Sequence, residues 1–153
     1  MIITPEEPPK ELTELKGELK IVYNHSYGIY GKFYEGLKEG RIFAVRCSVC
    51  KKVFLPPRPF CSLCFADTEK EWGGISDTGY VKSFTEVRIP FVGQPTEPPY
   101  IYALIVLDGA DSEFHHRVAG IAEKDVFIGM RVRAVWRAQR TGSVHDISFF
   151  ERY

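Results

Sequence analysis

The stretch Arg46-Cys47-Ser-Val-Cys50-Lys-Lys-Val-Phe-Leu-Pro-Pro-Arg-Pro-Phe-Cys61-Ser-Leu-Cys64 holds all four cysteines of the chain, as two CxxC pairs separated by ten residues. Two residues between cysteines let a tight turn aim both sulfurs at one point. Two such knuckles facing each other make a tetrahedral thiolate cage, which suits zinc. Cys47, Cys50, Cys61 and Cys64 are the expected metal ligands. The rival readings are two disulfides, a redox CxxC and iron held in the rubredoxin manner. The absence of a secretion signal argues against disulfides, and two facing copies argue against a redox pair. Arg41-Ile-Phe-Ala-Val-Arg46 reads as a strand entering the first knuckle, and the ten intervening residues suffice for a short hairpin between the knuckles. A site with four thiolates leaves no position for water or substrate, so the metal is expected to be structural. A module of roughly 30 residues cannot bury enough apolar surface to fold alone, and zinc can contribute on the order of 10 kcal/mol.

Outward from this cluster, 153 residues are room for one domain or a few small modules sharing a core. Hydrophobic residues at 44% and charged residues at 26% are the composition of a globular chain. The longest apolar run, Tyr100 to Leu107, is far short of the roughly 20 residues that cross a bilayer. No basic, apolar leader follows Met1, so a cytoplasmic location is expected. Twenty basic residues balance twenty acidic ones, and no third of the chain has a marked basic excess. Binding to duplex nucleic acid depends on neutralising phosphates, so the balance argues against it.

The first ten residues are rich in Pro and Glu, and Leu12, Leu15 and Leu19 recur at helical spacing, predicting a short helix over 11–20. Ser26 is placed to cap a second helix reaching about Lys38, with Gly40 as its stop. Tyr27, Tyr30, Tyr34 and Leu37 line one face of it, with Phe33 beside them. Gly28, Gly31 and Gly36 weaken it by close to 1 kcal/mol each, so it needs a partner surface. After Trp72-Gly73-Gly74 the pattern changes to alternation. Strands are predicted at Tyr80 to Ile89, Tyr100 to Leu107, Phe114 to Ile121, Met130 to Ala138 and Val144 to Phe150. Five strands with one long first loop, Pro90 to Pro99, suggest a Greek-key barrel of the OB type, although periodicity alone does not separate it from an SH3-like barrel. The expected organisation is an N-terminal extension with helices over 1–40, a zinc ribbon over 41–73 and an OB-fold over 74–153. A barrel of that size can bury its own core.

Several ordered motifs carry a resemblance. They are Phe33-Tyr-Glu-Gly-Leu-Lys-Glu-Gly40, the strand into Arg46-Cys47, Phe54-Leu-Pro-Pro-Arg-Pro, Gly79-Tyr-Val-Lys-Ser-Phe-Thr-Glu-Val and Ile128-Gly-Met-Arg-Val. Over about residues 26–153 the chain resembles the zinc-ribbon plus OB-fold family, long of unknown function, whose members accompany thiolases and related acyl-CoA enzymes. The resemblance implies a rubredoxin-like ribbon with the four cysteines as metal ligands, and a non-catalytic, acyl-CoA-associated subunit. Relatives bridge a thiolase and a 3-hydroxy-3-methylglutaryl-CoA synthase and help form a shared CoA site, and others pair with thiolase-like aldolases. Some relatives lack cysteines.

A search for catalysis among the residues is nearly empty. There is no nucleophile elbow, phosphate loop or dinucleotide fingerprint. His115 and His116 are neighbours on a predicted strand and point to opposite faces. Ser143, His145 and Asp146 hold triad residue types at a spacing that triads do not use. In the fourth barrel strand, Met130, Val132, Ala134 and Trp136 face one way and Arg131, Arg133 and Arg137 the other, with alternate residues about 7 Å apart. Guanidinium forks suit phosphate or carboxylate, so these arginines are either a solvated face paired with acids or an anchor for CoA phosphates or an acidic partner. Together with Tyr30 and Tyr34 they are the candidate CoA or partner contacts. The competing reading is a single-stranded nucleic-acid module with Phe84, Phe91 and Tyr102 as stacking platforms, and it lacks a basic groove.

Overall fold

The computed structural model describes Val22 and residues 27–68, 71–90, 94 and 96–153. The helix expected over 11–20, the Ser26 cap and Phe91 lie outside the described residues. Among the described residues no helix is long and apolar enough to cross a membrane.

The chain enters by a 3-10 turn, Gly28–Tyr30, which runs into helix α1, Gly31–Glu39. The helix therefore starts five residues after Ser26, with Tyr30 at its N-cap and no side-chain cap. Gly40 ends it in the left-handed conformation, φ 73°, which costs glycine little. Its buried face is Phe33, Gly36 and Leu37 rather than the tyrosine stripe, since Tyr27 and Tyr30 remain exposed. Gly36 explains one of the weakening glycines. A Cβ there would lie 2.4 Å from the Phe43 ring and 2.9 Å from the Arg41 carbonyl oxygen, so only glycine lets the helix sit on the first strand.

Strands β1 (Ile42–Arg46), β2 (Val53–Phe54) and β3 (Glu71–Ile75) form an antiparallel sheet in the order β2-β1-β3. The hairpin expected between the knuckles is absent. The first knuckle is itself the turn between β1 and β2, and the second is closed by a lone bridge between Phe60 and Asp67. Trp72-Gly73-Gly74 belongs to β3, paired along β1 through Ile42 and Ile75.

The remaining strands are β4 (Thr78–Val87), β5 (Tyr100–Leu107), β6 (Glu113–Val118), β7 (Arg131–Trp136) and β8 (Ile147–Arg152). They close into a barrel in the order β4-β5-β6-β8-β7, with β6 and β8 parallel at Val118 and Phe150. This is the OB-fold arrangement, so the expected class holds: mostly β, with a short N-terminal helix, a ribbon and a five-stranded barrel. Residues Val144–Asp146, expected as strand, form a 3-10 turn instead, and β8 starts at Ile147. The Asp146 carboxylate accepts the backbone N–H of Thr141, Gly142 and Ser143 at 2.9, 2.7 and 3.1 Å, so a local turn outcompetes the ladder there.

One core runs through all three parts. Phe33 and Leu37 of α1 and Ile42, Ala44, Val53 and Leu55 of the ribbon are buried in the same cluster as Val81, Ile105, Phe114, Val132 and Phe150 of the barrel. The β5–β6 turn fastens this joint. Asp111 exchanges two bonds with Val53: its carboxylate accepts the Val53 N–H at 2.9 Å, and its own N–H donates to the Val53 carbonyl at 2.8 Å. Ser112 Oγ accepts the Leu55 N–H at 2.7 Å and donates to the Leu55 carbonyl at 2.9 Å. Ser112→Ala leaves both buried groups of Leu55 without this partner, and a loss of about 1–3 kcal/mol is expected in chemical denaturation.

His116 points inward, its ring 5.8 Å from Phe114 and 5.4 Å from Phe150, while His115 is exposed. Burial lowers the His116 pKa below its ordinary value, and the positive charges of Arg117 and His145 add to this. The unfolded chain therefore takes up a proton that the folded chain resists. Stability should fall as pH drops through about 6.5 toward the folded pKa, and His116→Leu should flatten that slope in thermal melts at pH 5 to 8.

Candidate metal centre and arginine face

The two knuckles are built alike. In the first, Cys47 N–H donates to Lys52 O at 2.8 Å and Lys51 N–H to Cys47 O at 3.0 Å; in the second, Cys61 N–H donates to Ala66 O at 2.8 Å and Phe65 N–H to Cys61 O at 3.0 Å. Each turn closes on a left-handed residue, Lys51 at φ 63° and Phe65 at φ 59°. Backbone amides point at the sulfurs, Cys50 N–H to Cys47 Sγ and Leu63 N–H to Cys61 Sγ, both at 3.4 Å. The four Sγ atoms lie within 4.8 Å of one another. Cys47 and Cys64 are 3.5 Å apart and Cys50 and Cys61 3.4 Å, well beyond the about 2.05 Å of a disulfide. Such spacing suits thiolates on the corners of a tetrahedron around an ion bound at about 2.3 Å. Burial opposes ionisation of Cys61, but the amides of Cys64 and Leu63 and the neighbouring thiols outweigh it and bring its pKa to about 6. All four donors are soft sulfur and none is left for chemistry, so this is a closed zinc-ribbon site.

The arginine row divides. Arg131 forks onto Asp108, with Nη1 to Oδ1 at 2.8 Å and Nη2 to Oδ2 at 2.5 Å, and Thr78 Oγ1 donates to the same carboxylate at 2.7 Å. The hydrogen bonds from Arg131 and Thr78 hold the Asp108 carboxyl at about 2. Arg133 donates from Nε to Glu151 at 2.8 Å. Arg137 is not part of the row, because a register shift at Val135/Trp136 ends β7 before it. Its loop instead packs on α1. Arg140 Nε donates to Lys38 O at 3.0 Å and Nη1 to Arg137 O at 2.9 Å, and Gly142 lies so close that a Cβ would be 3.2 Å from Tyr34 O. The structure thus brings Tyr34 and Arg137 to one end of the molecule, with Lys38 and Arg140, and leaves Arg131 and Arg133 on ion pairs elsewhere. Lys38 and Arg140 were not singled out by sequence reasoning; the glycines at 40 and 142 were their only local signal.

Ser143, His145 and Asp146 form a capping box: Ser143 Oγ accepts the His145 N–H, and Asp146 accepts backbone amides. No imidazole stands between a hydroxyl and a carboxylate. On the outer barrel Tyr80, Phe84 and Tyr102 are exposed, but Lys82 is paired with Glu113 and Arg88 with Glu86. An open cleft of about 640 Å³ lies between the ribbon sheet and the β5–β6 turn, lined among others by Ala44, Arg46, Gly73 and Asp108.

Family models match two consecutive stretches of the chain. Residues 35–70 match the ChsH2 rubredoxin-like zinc ribbon domain and residues 72–137 the ChsH2 C-terminal OB-fold domain. A DUF35 domain-containing scaffold protein of Methanocaldococcus jannaschii is 31% identical over 96 residues, 63% of this chain and 67% of the relative. The chain belongs to the DUF35 (ChsH2-type) family. A probable enoyl-CoA hydratase alpha subunit of Thermomonospora curvata is 32% identical over 108 residues, 68% of this chain but 32% of that protein's length. Among solved structures, an Ltp2-ChsH2(DUF35) aldolase chain aligns with TM-score 0.59 and 25% identity, over 87% of this chain and 98% of that one. A Sulfolobus solfataricus DUF35 protein of unknown function aligns with TM-score 0.55 and 24% identity, over 71% of this chain and 84% of that one, and shares the fold.

Cys61→Ser leaves three thiolates, and one bound zinc per chain in elemental analysis should fall to a small fraction. Because the ribbon shares its core with the barrel, chelation should lower the melting temperature of the whole chain in a single transition.

Proposed function

We propose that this DUF35 protein is a non-catalytic accessory subunit of the acyl-CoA pathway, which scaffolds a thiolase-type enzyme and contributes one wall of a CoA site. The observation that carries the reading is the family match to a scaffold protein, in a chain whose metal site is closed. Among the described residues, the His116 ring is packed on Phe114 and Phe150, and the Asp146 carboxylate is spent on three backbone amides. The solved Ltp2-ChsH2(DUF35) aldolase supports an enzyme as the partner, and the enoyl-CoA hydratase relative supports an acyl-CoA context. A 3-hydroxy-3-methylglutaryl-CoA synthase is a second candidate in the same assembly. Reduced cysteines in a zinc ribbon fit a cytoplasmic setting.

For the CoA wall, Tyr30 and Tyr34 offer an aromatic surface for the pantetheine arm. Arg137, whose guanidinium has no carboxylate partner among the described residues, lies on the loop that Arg140 ties to the Lys38 carbonyl and offers a fork for phosphate. Arg131 and Arg133 would have to give up Asp108 and Glu151 to serve, so we rank them below Arg137. Alone the protein should bind CoA weakly, since one wall buries only part of the ligand.

The test is calorimetry of CoA with the protein, with a thiolase-family enzyme of the same organism, and with both together. A complex that binds CoA about 10-fold tighter than the sum of its parts is expected. Arg137→Glu should remove most of that gain, while Arg131→Glu removes less. If no complex forms and turnover of the enzyme ignores this protein, the reading fails.

A further inference from the structure

The two knuckles differ in how far they are rooted in the fold. The first lies between β1 and β2, and Cys47 is buried with Val45 and Phe54. The second stands in the loop after β2, closed by the lone bridge between Phe60 and Asp67 and by the bond from Thr68 N–H to the Pro59 carbonyl. Cys61 turns inward to the same small cluster, whereas Cys64 is exposed together with Ser62, Leu63 and Phe65. The four ligands are therefore not equivalent. Cys47 and Cys61 are buried, Cys50 is half-buried and Cys64 meets solvent.

A closed coordination shell leaves no room for a substrate at the metal, but it does not shield a sulfur at its outer corner. A metal-bound cysteine is held as thiolate, the form that oxidants attack, and susceptibility follows thiolate character and exposure. A thiolate that reacts reversibly also needs a second sulfur within reach. Each sulfur of the first knuckle faces one of the second: Cys47 Sγ is 3.5 Å from Cys64 Sγ, and Cys50 Sγ is 3.4 Å from Cys61 Sγ. Closing either pair to a disulfide asks each sulfur to move about 0.7 Å.

We infer that Cys64 is a peroxide-reactive site of the ribbon and that Cys47 is its resolving partner. The Cys64 thiolate attacks one oxygen of hydrogen peroxide; an S–O bond forms, the O–O bond breaks and hydroxide leaves. The Cys47 thiolate then attacks Cys64 Sγ; an S–S bond forms, the S–O bond breaks and a second hydroxide leaves. Two thiolates become one disulfide, and one peroxide is reduced to two hydroxides. Cys50 and Cys61 are left as two thiolates, too few to hold zinc, and a second peroxide joins them in the same way. The metal-free ribbon then keeps two covalent links between its knuckles, so oxidation replaces one cross-link by another. The inference rests on the zinc site and is independent of the scaffold reading.

The experiment treats zinc-loaded full-length protein with one and then two equivalents of hydrogen peroxide. Released zinc is read with a chromogenic chelator, and disulfides are mapped by mass spectrometry after alkylation of the remaining thiols. Tryptic cleavage at Lys51 and Lys52 puts the two knuckles on separate peptides, which only a link between knuckles rejoins. The first equivalent should release most of the zinc and give Cys47–Cys64 as the main link; the second should add Cys50–Cys61. A short iodoacetamide pulse on the native protein should label Cys64 about 10-fold faster than Cys47 or Cys61. Cys64→His offers three thiolates and an imidazole, so zinc should stay at one per chain while its release by peroxide slows about 10-fold. Cys50→His, which keeps the exposed thiolate and its partner, should change that rate less than about 3-fold. Where a variant does not hold zinc, the mapping and the pulse on the wild type decide. The assignment is wrong if the first link lies within a knuckle, if the pulse labels the four cysteines alike, or if zinc stays bound in excess peroxide.

Discussion

The seam between the ribbon and the barrel is the constraint on which the rest of this molecule depends. A three-stranded sheet with one two-residue strand cannot bury its own inner face. Ile42, Ala44, Val53 and Leu55 are instead buried in the barrel's cluster, and Phe33 and Leu37 of α1 cover the same core from the other side. The β5–β6 turn adds direction to this apolar contact, because Asp111 meets the backbone of Val53 in β2 and Ser112 that of Leu55 just after it. Area alone would let the sheet slide; the hydrogen bonds set its register on the barrel. The metal organises the other end. Its cluster of Val45, Cys47, Phe54 and Cys61 is small, and the ion substitutes for the missing core.

Charge is used locally throughout. The chain has no net charge, and four cations of the barrel meet carboxylates of the same fold: Arg131 with Asp108, Arg133 with Glu151, Lys82 with Glu113, Arg88 with Glu86. These pairs are exposed and contribute little to stability. They take Lys82 and Arg88 out of play on and just beyond the strand that carries the exposed rings of Tyr80 and Phe84, while Lys124, Arg137 and Arg152 stay exposed without an ion pair among the described residues. Among the described cations without an ion pair are Lys38 and Arg137, on α1 and on the loop packed against it, and Arg58 in the ribbon.

Reactive residue types in this chain are tied up by folding where the structure describes them: the four thiols converge on a closed metal site, His116 is packed on Phe114, and a capping box stands where triad residue types occur together. The Asp146 turn shows how a reactive-looking set is consumed by folding. Its carboxylate is aimed at three consecutive amides, which fixes the loop carrying Arg137 and Arg140 against α1.

The spacing of the four cysteines determined the metal site by itself, because a CxxC turn is a local structure whose geometry needs nothing from the rest of the chain. Alternation likewise marked the five barrel strands, since a half-buried strand must repeat every two residues, and Gly40 marked the helix end. Tertiary structure decided the rest. The strand at Trp72-Gly73-Gly74 was invisible to pattern, because two glycines interrupt any alternation, whereas in the fold it pairs along β1 and packs Trp72 and Ile75 on the core. The buried face of α1 was Phe33 and Leu37 rather than the tyrosines, because Gly36 lets Phe43 approach on that side only. Arg137 left its row through a register shift, an event of the β7–β8 ladder that no periodicity within β7 records. Which arginines are paired and which are free depends on residues up to 102 positions away, as between Arg140 and Lys38. Local geometry is written in neighbouring residues, whereas pairing is a property of the closed barrel.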